Sequence, residues 1–574
     1  MKSFDVHVPV GPESAPGAGE PAVLRAAAAA AGMALDRVGS VVIRRRSLDL
    51  RKRRQPQWVL RCDVFSAGEV PPSDVLPPLV RPLRLARPSP GLHPLIVGSG
   101  PAGLFAALQF ADAGVRCTLV ERGAAVEARN LHVRDLRGAG TLDPESNLCF
   151  GEGGAGTYSD GKLFTRSKHP LVREVYERLV ALGAGPQLLV DHHPHIGTNR
   201  LIPMVRRLRE ALQEAGHDLR FGARVDDLLV QRGGGQRPRV VGVRLSDGTE
   251  LQGGPVLLAT GHSARDTYAM LARHGIAMQR KDFAIGARVE HPQALVDAVQ
   301  LGDLAGHPAI GPAEYFLTCQ VPDPTGAARG VYSFCMCPGG FVLPTPTRTG
   351  RLNVNGMSNS NRGSGFANAA LVAQVRADEF WLDRPGDLDA DPEFGRHVAD
   401  GALLGLALQD RLEAACFDAG GGGCVAPAQG VLDFLAERDP GVLPERSTYR
   451  PNLRPGRVDR LLPQRVAGAL RQAMRDIERR QLRGYLSAAG VVVGVETTTS
   501  APVRVLRGDD RQSVSHAGLY PCAEGAGYAG GIVSSAIDGM EAARAVLAAW
   551  GAITPGASAS AITASAAASA HPGD

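Results

Sequence analysis

The sequence predicts an α/β fold in which a Rossmann domain carries a large inserted domain and follows a small α+β domain. Three observations lead to this prediction. A strand, a glycine loop, a helix and a second strand follow one another between residues 93 and 122. Strand and helix patterns that complete such a sheet return near the C-terminus, after a long region of another pattern. A separate strand–helix–strand–strand pattern occupies residues 1–88.

The glycine loop reads Gly98-x-Gly100-x-x-Gly103 and follows the apolar strand HPLIV. Its glycines let the backbone approach a pyrophosphate, and the next helix offers free N–H groups and a positive dipole. The second strand ends at Glu121, an acid that can accept hydrogen bonds from the hydroxyls of an adenosine ribose. We therefore expect an adenine dinucleotide held by Gly98, Ser99, Gly100, Pro101, Ala102, Gly103, Glu121 and Arg122.

Two later stretches repeat the glycine spacing, one at residues 151–156 and one at residues 525–530. The first is followed by polar residues and an Asp-Gly turn, so no amphipathic helix starts there. The second lies between a strand and a helix, but no strand ending in an acid comes after it. The sequence therefore predicts one complete dinucleotide fold and two additional glycine loops.

The late elements favour FAD over NAD. Ala259-Thr260-Gly261 and Ala523-Glu524-Gly525 resemble the closing elements of the glutathione-reductase-type FAD domain, in which a late acid meets the ribityl chain. Such domains usually carry Asp at the position of Glu524. A final helix from about residue 530 directs its positive end at the flavin. The further predicted contacts are Gly153, Gly154, Ala155, Gly156, Val225, Thr260, Gly261, Glu524, Gly530, Gly531 and Ile532.

Composition excludes several other classes. The chain has 574 residues, 44% of them hydrophobic, and no run of eighteen apolar residues that predicts a membrane span. Its acidic, proline-containing start is unlike a signal peptide, and its nine cysteines include no CxxC pair. We expect a cytoplasmic protein. No HExxH, paired CxxC or Walker sequence is present, so we predict no metal site.

The N-terminal region is basic. Residues 1–90 carry 14 Lys and Arg against 8 Asp and Glu, whereas the whole chain has a formal net charge of +5. Seven of these basic residues fall in 44–54. Such a run suits a nucleic-acid or acidic partner, or a solvated hairpin. Because no aromatic residues are interleaved for base stacking, we favour the hairpin and expect no nucleic-acid partner.

We divide the chain into five parts. Within them, Thr198-Asn199 is expected to cap a helix, and helices are expected over 366–384 and 463–488. The parts are a basic α+β domain (1–88), a first FAD-binding part (93–266), a substrate domain (267–490), a closing FAD-binding part (491–550) and a disordered tail (551–574).

Seven ordered motifs resemble a known family. They are ESNLCFGEGGAGTYSDGKL, ATGHSARDTY, FAIGARVEHPQ, VYSFCMCPGG, NVNGMSNSN, VETTTSAPVRV and YPCAEGAGYAGGIVSSAIDGMEAA. The chain resembles the bacterial FAD-dependent dehydrogenases, also called NAD(FAD)-utilising dehydrogenases, over nearly its whole length. The resemblance implies an FAD-binding oxidoreductase with a family-specific C-terminal domain and supplies no substrate.

Candidates for catalysis stand at three places in the sequence, each with a plainer alternative. Lys162 could donate near flavin N5, or could close a turn together with Asp160. His262 could act as an acid or base, or could satisfy a buried backbone group. Cys335 and Cys337 share one face of an extended strand and could be thiols opposite the flavin, although buried cysteines more often serve packing.

We therefore expect a dehydrogenase that passes a hydride between flavin N5 and a small organic molecule. The loops 153–162 and 353–361 are expected to form parts of the substrate wall, unless the amides of the second loop only make turns. A nicotinamide that docks without a Rossmann domain of its own is a candidate electron donor. The alternatives are a flavin-dependent RNA-modifying enzyme and a non-catalytic flavoprotein that senses redox state.

Overall fold

The computed structural model describes most of the chain. The described residues are 3–11, 15–50, 56–72, 83, 85–87, 91–165, 167–192, 194–233, 237–323, 326–380, 394 and 401–551. Apart from Gly551, the predicted tail therefore lies outside the described residues, as does the end of the basic run.

The strands and α-helices of the described residues are numbered here in chain order. The strands are β1 (Ser3–Pro9), β2 (Val38–Asp49), β3 (Gln57–Ser66), β4 (Leu95–Val97), β5 (Thr118–Val120), β6 (Asp218–Arg220), β7 (Val225–Gln231), β8 (Arg239–Leu245), β9 (Glu250–Gln252), β10 (Val256–Leu258), β11 (Met278–Arg280), β12 (Phe283–Pro292), β13 (Thr318–Pro322), β14 (Ala328–Cys337), β15 (Phe341–Pro344), β16 (Val354–Met357), β17 (Phe366–Val375), β18 (Ala426–Gly430), β19 (Leu453–Pro455), β20 (Val491–Glu496), β21 (Val503–Val505) and β22 (Leu519–Pro521). The helices are α1 (Pro21–Ala31), α2 (Pro101–Asp112), α3 (Val126–Ala139), α4 (Leu171–Ala181), α5 (Thr198–Glu214), α6 (Arg265–Arg273), α7 (Gln293–Leu301), α8 (Leu404–Gly420), α9 (Val431–Ala436), α10 (Val458–Leu461), α11 (Gln464–Arg480) and α12 (Ile532–Ala549).

The N-terminal region forms a small antiparallel sheet. Its strand order is β1-β3-β2, and α1 packs on one face through the buried side chains of Val23 and Ala27. Leu60 and Trp58 of the central strand lie in the same core. The predicted strand–helix–strand–strand order is confirmed.

A five-stranded parallel sheet has the order β22-β10-β4-β5-β6. Helices α2 and α12 pack on it and on each other, so closely that a Cβ atom at Gly539 would lie 2.1 Å from the carbonyl oxygen of Ala102. A Cβ at Gly103 would lie 1.9 Å from the Gly98 carbonyl oxygen, which explains why the helix and its loop require glycine there. Strands as far apart in the chain as β4 and β22 thus contribute to one Rossmann-type sheet.

A second, mixed sheet of seven strands has the order β13-β14-β17-β12-β20-β18-β19. Only β18 and β19 run parallel within it. Helix α11 covers one face with Leu470, Met474 and Ile477. It confirms the helix predicted over 463–488, although it ends at Arg480.

The helix predicted over 366–384 is wrong, because residues 366–375 form the strand β17 near the middle of the second sheet. Its residues are buried on both faces, so its sequence FANAALVAQV shows a continuous apolar run and no alternation. Such a run cannot be distinguished from a buried helix by periodicity. The remainder of the predicted helix, beyond residue 380, lies outside the described residues.

The predicted return to the FAD-binding domain at residue 491 is also wrong in position. Strand β20, at 491–496, pairs with β12 and β18 of the seven-stranded sheet, and the chain rejoins the parallel sheet only at β22. All six residues of β20 are buried, and each is either apolar or paired. Such a strand suits the parallel sheet and the seven-stranded sheet equally well.

Candidate active site

A cavity of about 790 Å³ lies between the parallel sheet and the seven-stranded sheet. This volume falls within the range of about 300–1,000 Å³ typical of ligand sites. One wall, the glycine wall, consists of the loops after β4 and β10, the loop 154–156 and the start of α12. The opposite wall, the side-chain wall, carries Lys162, Phe334, Cys335, Leu343, Thr345 and Asn355.

The glycine loop at residues 98–103 faces the cavity as expected. Gly100 is the residue before α2 and adopts an ordinary extended conformation, and the only atom within 4 Å of a Cβ built there is the Cα of Gly154, at 4.0 Å. A larger side chain at Gly100 would therefore project into open space in the cavity. Gly98, Pro101 and Ala102 also line it.

Glu121 lines the cavity but is already heavily hydrogen-bonded. One carboxylate oxygen accepts from the backbone N–H and hydroxyl of Ser99, both at 2.8 Å. The other accepts from the N–H groups of Gly123 and Gly151 at 2.9 Å. Four donors occupy the roughly four acceptor positions of a carboxylate. Glu121 thus joins three loops around the cavity, which is a role beyond the ribose contact predicted from the sequence.

Arg129 organises the second glycine loop, and nothing in the sequence pointed to it. Its fully buried guanidinium donates to the backbone carbonyls of residues 147, 148, 151, 152 and 154 at 2.7 to 3.1 Å. A Cβ at Gly151 would lie only 2.4 Å from the Cδ of Arg129. The glycines at 151–154 therefore make room for this arginine as well as for a ligand, and only long-range packing reveals it.

The C-terminal elements close the glycine wall. Helix α12 begins after Gly531, which has φ +84°, and its residues Ile532 and Ser535 line the cavity. The N–H groups of its first turn, which have no partner within the helix, therefore lie at the border of the cavity. Glu524 accepts a hydrogen bond from the N–H of Ala501 at 2.9 Å. The other predicted residues that line the cavity are Arg122, Gly154, Ala155, Gly156, Val225, Thr260, Gly261, Glu524, Gly530, Gly531 and Ile532.

The side chain of Lys162 connects the segment after the second glycine loop with a strand of the seven-stranded sheet. Its ammonium lies 3.6 Å from Asp160 and 3.8 Å from Glu314, and it donates to the carbonyl of Met336. Burial raises the pKa of Asp160, but the adjacent His195 ring and the Lys162 charge outweigh it and lower that pKa to about 2. The alternative in which Lys162 and Asp160 merely close a turn is wrong, because the lysine reaches a strand of the other sheet.

His262 makes a contact that fits the plainer of its two predicted roles, and its acid–base role stays a prediction. Its Nε2 lies 3.0 Å from the carbonyl oxygen of Thr498, although the ring also borders the cavity. The helix cap predicted at Thr198-Asn199 is wrong, since both residues lie inside α5 and Gly197 precedes it. Asn199 instead pairs with Ser360, so these side chains tie α5 to the loop 358–361.

Residues 353–361, predicted as a loop, include the strand β16, and they divide between the two predicted roles. Asn355 and Gly356 line the cavity, whereas Ser358 donates to the carbonyl of Pro338. Asn355 is held by Arg288, whose guanidinium is fully buried and donates to the Asn355 side chain at 2.6 Å. The same guanidinium pairs with the buried carboxylate of Glu496 at 2.8 Å. Neither charged residue was singled out from the sequence, although both stand in quoted motifs.

Cys335 stands at an irregularity of β14. The pairing with β17 shifts between residues 334 and 337, and Cys335 has φ +46°, so the regular strand expected there is interrupted. Cys335 is partly exposed and lines the cavity, while Cys337 is fully buried behind it. Cys149, which the sequence did not suggest, also lines the cavity.

Two arginines of the basic run contact the body of the protein. Arg46 forms an ion pair with Asp191 at 2.7 Å, and its backbone pairs with residues 190 and 192. Arg45 lies 3.0 Å from the His192 ring. These contacts attach the N-terminal sheet to the segment between α4 and α5.

The fold and the cavity define a class. A parallel sheet whose glycine loops, strand ends and last helix converge on one cavity has the form of a dinucleotide-binding protein. The residues fit FAD in one further respect. A Cβ built at Gly261, which has φ +70° and lines the cavity, meets nothing within 4 Å, so the backbone lies open to a ligand.

Comparison with known proteins supplies the family. Residues 282–499 match the family described as "FAD-dependent protein, C-terminal domain-like", and residues 92–137 match the "FAD binding domain". An uncharacterized protein of Clostridium beijerinckii is 37% identical over 456 residues, which are 79% of this chain and 80% of that protein. The chain belongs to this family of FAD-dependent proteins, and FAD is its cofactor.

Solved structures resemble the chain only weakly. A geranylgeranyl bacteriochlorophyll reductase-like protein of Thermoplasma acidophilum is 12% identical over 80% of this chain and 79% of its own, with a TM-score of 0.31. CtdE in complex with FAD is 11% identical over 79% and 84%, with a TM-score of 0.29. THI4 of Thermovibrio ammonificans is 19% identical over 33% of this chain and 64% of its own, with a TM-score of 0.22. These scores are too low to relate the whole folds.

No helix within the described part of the chain combines the length and the apolar character that a membrane crossing needs.

Proposed function

We propose that this protein is an FAD-dependent oxidoreductase that passes a hydride between flavin N5 and a small organic molecule. One observation carries the proposal: a single cavity is bordered both by the glycine wall and by the side-chain wall. The glycine wall suits the cofactor, and Lys162, Cys335 and Asn355 supply polar groups for a second molecule.

The proposal assigns different roles to the two sheets. The parallel sheet is a glutathione-reductase-type FAD domain, and the seven-stranded sheet belongs to the substrate domain. When bound, FAD supplies the two-electron redox chemistry. The N-terminal N–H groups of α12 face the cavity and stabilise negative charge there. Arg288 holds Asn355 in place, and Lys162 offers a proton donor whose charge is balanced by Asp160 and Glu314.

The electron donor in this proposal is a nicotinamide that docks transiently. Among the described strands, only one sheet has the parallel order of a dinucleotide fold, and the 525–530 glycines follow β22 of that same sheet. A nicotinamide would therefore reach the cavity without a Rossmann domain of its own. The substrate is small because the cofactor takes up a large part of the 790 Å³.

The test is anaerobic reduction of the purified holoprotein by NADH and NADPH, followed by steady-state turnover with a panel of small carbonyl and alkene acceptors. We expect flavin bleaching and turnover, and a loss of turnover in Asn355→Ala with unchanged FAD content. Asn359→Ala is the matched control, since Asn359 lies in the same segment but outside the cavity lining. Absence of turnover with every pair, despite bound FAD, favours the non-catalytic flavoprotein.

A further inference from the structure

Cys335 occupies a strained backbone position directly at the cavity. Six non-glycine residues of the described chain have positive φ, and two of them, Cys335 and Ala523, line the cavity from opposite walls. Such conformations cost about 1–3 kcal/mol and persist where the surrounding structure enforces them. At Cys335 the strand pairing enforces the positive φ, because residues 335 and 336 together oppose a single residue of β17.

Two cations hold this bulge in place. Arg288 donates to the carbonyl oxygen of Cys335 at 2.8 Å, and Lys162 donates to the carbonyl of Met336. The two positive charges therefore lie at the carbonyl groups of Cys335 and of the residue that follows it, next to the Cys335 side chain. A hydrogen bond with Cys337 and these two charges outweigh burial and lower the pKa of Cys335 to about 6. A thiolate near neutral pH is the nucleophilic form of cysteine.

Cys337 is placed to act together with Cys335. Its Sγ donates to the carbonyl oxygen of Cys335 at 3.2 Å, so its side chain points back along the strand toward the first cysteine. In a regular strand, residues two apart are separated by about 6.6 Å, near the upper limit of about 6.8 Å for a disulfide. Residues 335–337 depart from this regular geometry, because Cys335 has a positive φ and lies in a bulge of β14. The pair is therefore not bound to the separation of a regular strand.

We propose that Cys335 and Cys337 form a redox-active pair that cycles between dithiol and disulfide and exchanges two electrons with the flavin. Forming the S–S bond breaks the S–H bond of Cys337, releases that proton together with any proton still on Cys335, and releases two electrons. Oxidised FAD takes up the two electrons and a proton, and the reverse reaction restores the dithiol. The inference rests on the proposed function, since it needs the flavin beside this wall.

The test is a reductive titration of holoprotein that was first equilibrated with oxidised glutathione and then freed of it. Stoichiometric dithionite is added without oxygen while the flavin spectrum is recorded. Full reduction of the wild type is expected to require twice the reductant per flavin that Cys335→Ser and Cys337→Ser require, because a disulfide accepts two electrons in addition to the two of the flavin. Cys319→Ser, a partly buried cysteine outside the cavity lining, is the control and should match the wild type.

Peptide mapping supplies an independent readout that needs no turnover. Residues 330–348 form one tryptic peptide that contains both cysteines. In the oxidised wild type this peptide should resist alkylation and be two hydrogen masses lighter, and dithiothreitol should reverse both effects. Equal reductant demand in wild type and variants, or a disulfide that joins Cys335 to Cys149, would overturn the proposal. Either result would leave the proposed hydride transfer intact. Conversely, if the titration gives the expected result but no substrate is turned over, only the proposed hydride transfer is refuted.

Discussion

The two walls of the cavity differ in what positions a ligand. The glycine wall offers backbone N–H groups, open glycine positions and a helix start, all set by short motifs. The side-chain wall depends on the buried Arg288 and Glu496 and on the partly buried Lys162, charged residues that come from distant parts of the chain. The comparison teaches that a cofactor site made of backbone can be predicted from local sequence, whereas a reactive wall made by long-range pairing cannot.

The largest effect is expected from Arg129, which supports the glycine wall from behind. Arg129→Met would leave the two buried carbonyl oxygens of residues 147 and 148 without a donor and would weaken the others, at a cost of about 3–5 kcal/mol in folding free energy. We expect the thermal midpoint to fall by about 5–10 °C and bound FAD to be lost. Differential scanning calorimetry of the apoprotein and flavin extraction measure the two effects.

Arg134→Met is the control for this change, because Arg134 lies on the same helix and its side chain is 71% exposed. Its effect should stay within about 0.5 kcal/mol. If the thermal midpoint of Arg129→Met equals that of the control, the stability of the loop 147–154 does not depend on Arg129.

A second prediction separates binding from stability at Gly100. Gly100→Val places a side chain in open cavity space without backbone strain, so the protein should fold normally and bind FAD at least about tenfold more weakly. Gly138→Val is the matched control, since a Cβ at the exposed Gly138 also meets nothing within 4 Å. FAD titration followed by fluorescence measures the affinity. Wild-type affinity in Gly100→Val would contradict the glycine wall.

The sequence predicted the first wall well because each of its parts is local. Strand, loop, helix and acid lie within residues 93–122, and the late glycines flank a recognisable strand and helix. The second wall was predicted only in outline. The bulge at Cys335 arises from pairing with β17, which the sequence suggested as a helix, and the Arg288–Glu496 pair joins residues 208 positions apart. Arg129 remained hidden because its partners are backbone carbonyls, which every residue possesses.

A third prediction concerns the side-chain wall and the pH dependence of the reactivity of Cys335. Because the pKa of Cys335 is lowered to about 6, its alkylation by iodoacetamide should rise with pH through a midpoint near 6 in the folded protein. Lys162→Met removes one of the facing charges, leaving Arg288, Asp160 and Cys337, and should move the midpoint upward by roughly one unit. The rate of carbamidomethylation of the 330–348 peptide measures it. A midpoint that stays in place would show that Lys162 does not act on the thiol.

The smallest effect is expected where the basic run meets the body. The Arg46–Asp191 pair is partly exposed, so Asp191→Asn should cost only about 0.5–1 kcal/mol and leave FAD binding unchanged. The change should accelerate limited proteolysis between the N-terminal sheet and residue 91. Unchanged cleavage would indicate that the backbone pairing at residues 190–192 suffices to hold the sheet.

The most direct measurement of the central claim is a crystal structure of the holoprotein with FAD. The account predicts the pyrophosphate at residues 98–102 and the isoalloxazine between the start of α12 and the side-chain wall, with one ring face toward Cys335 and Asn355. An isoalloxazine that points away from this wall, or a flavin outside the cavity, would contradict the claim that the two walls form one active site.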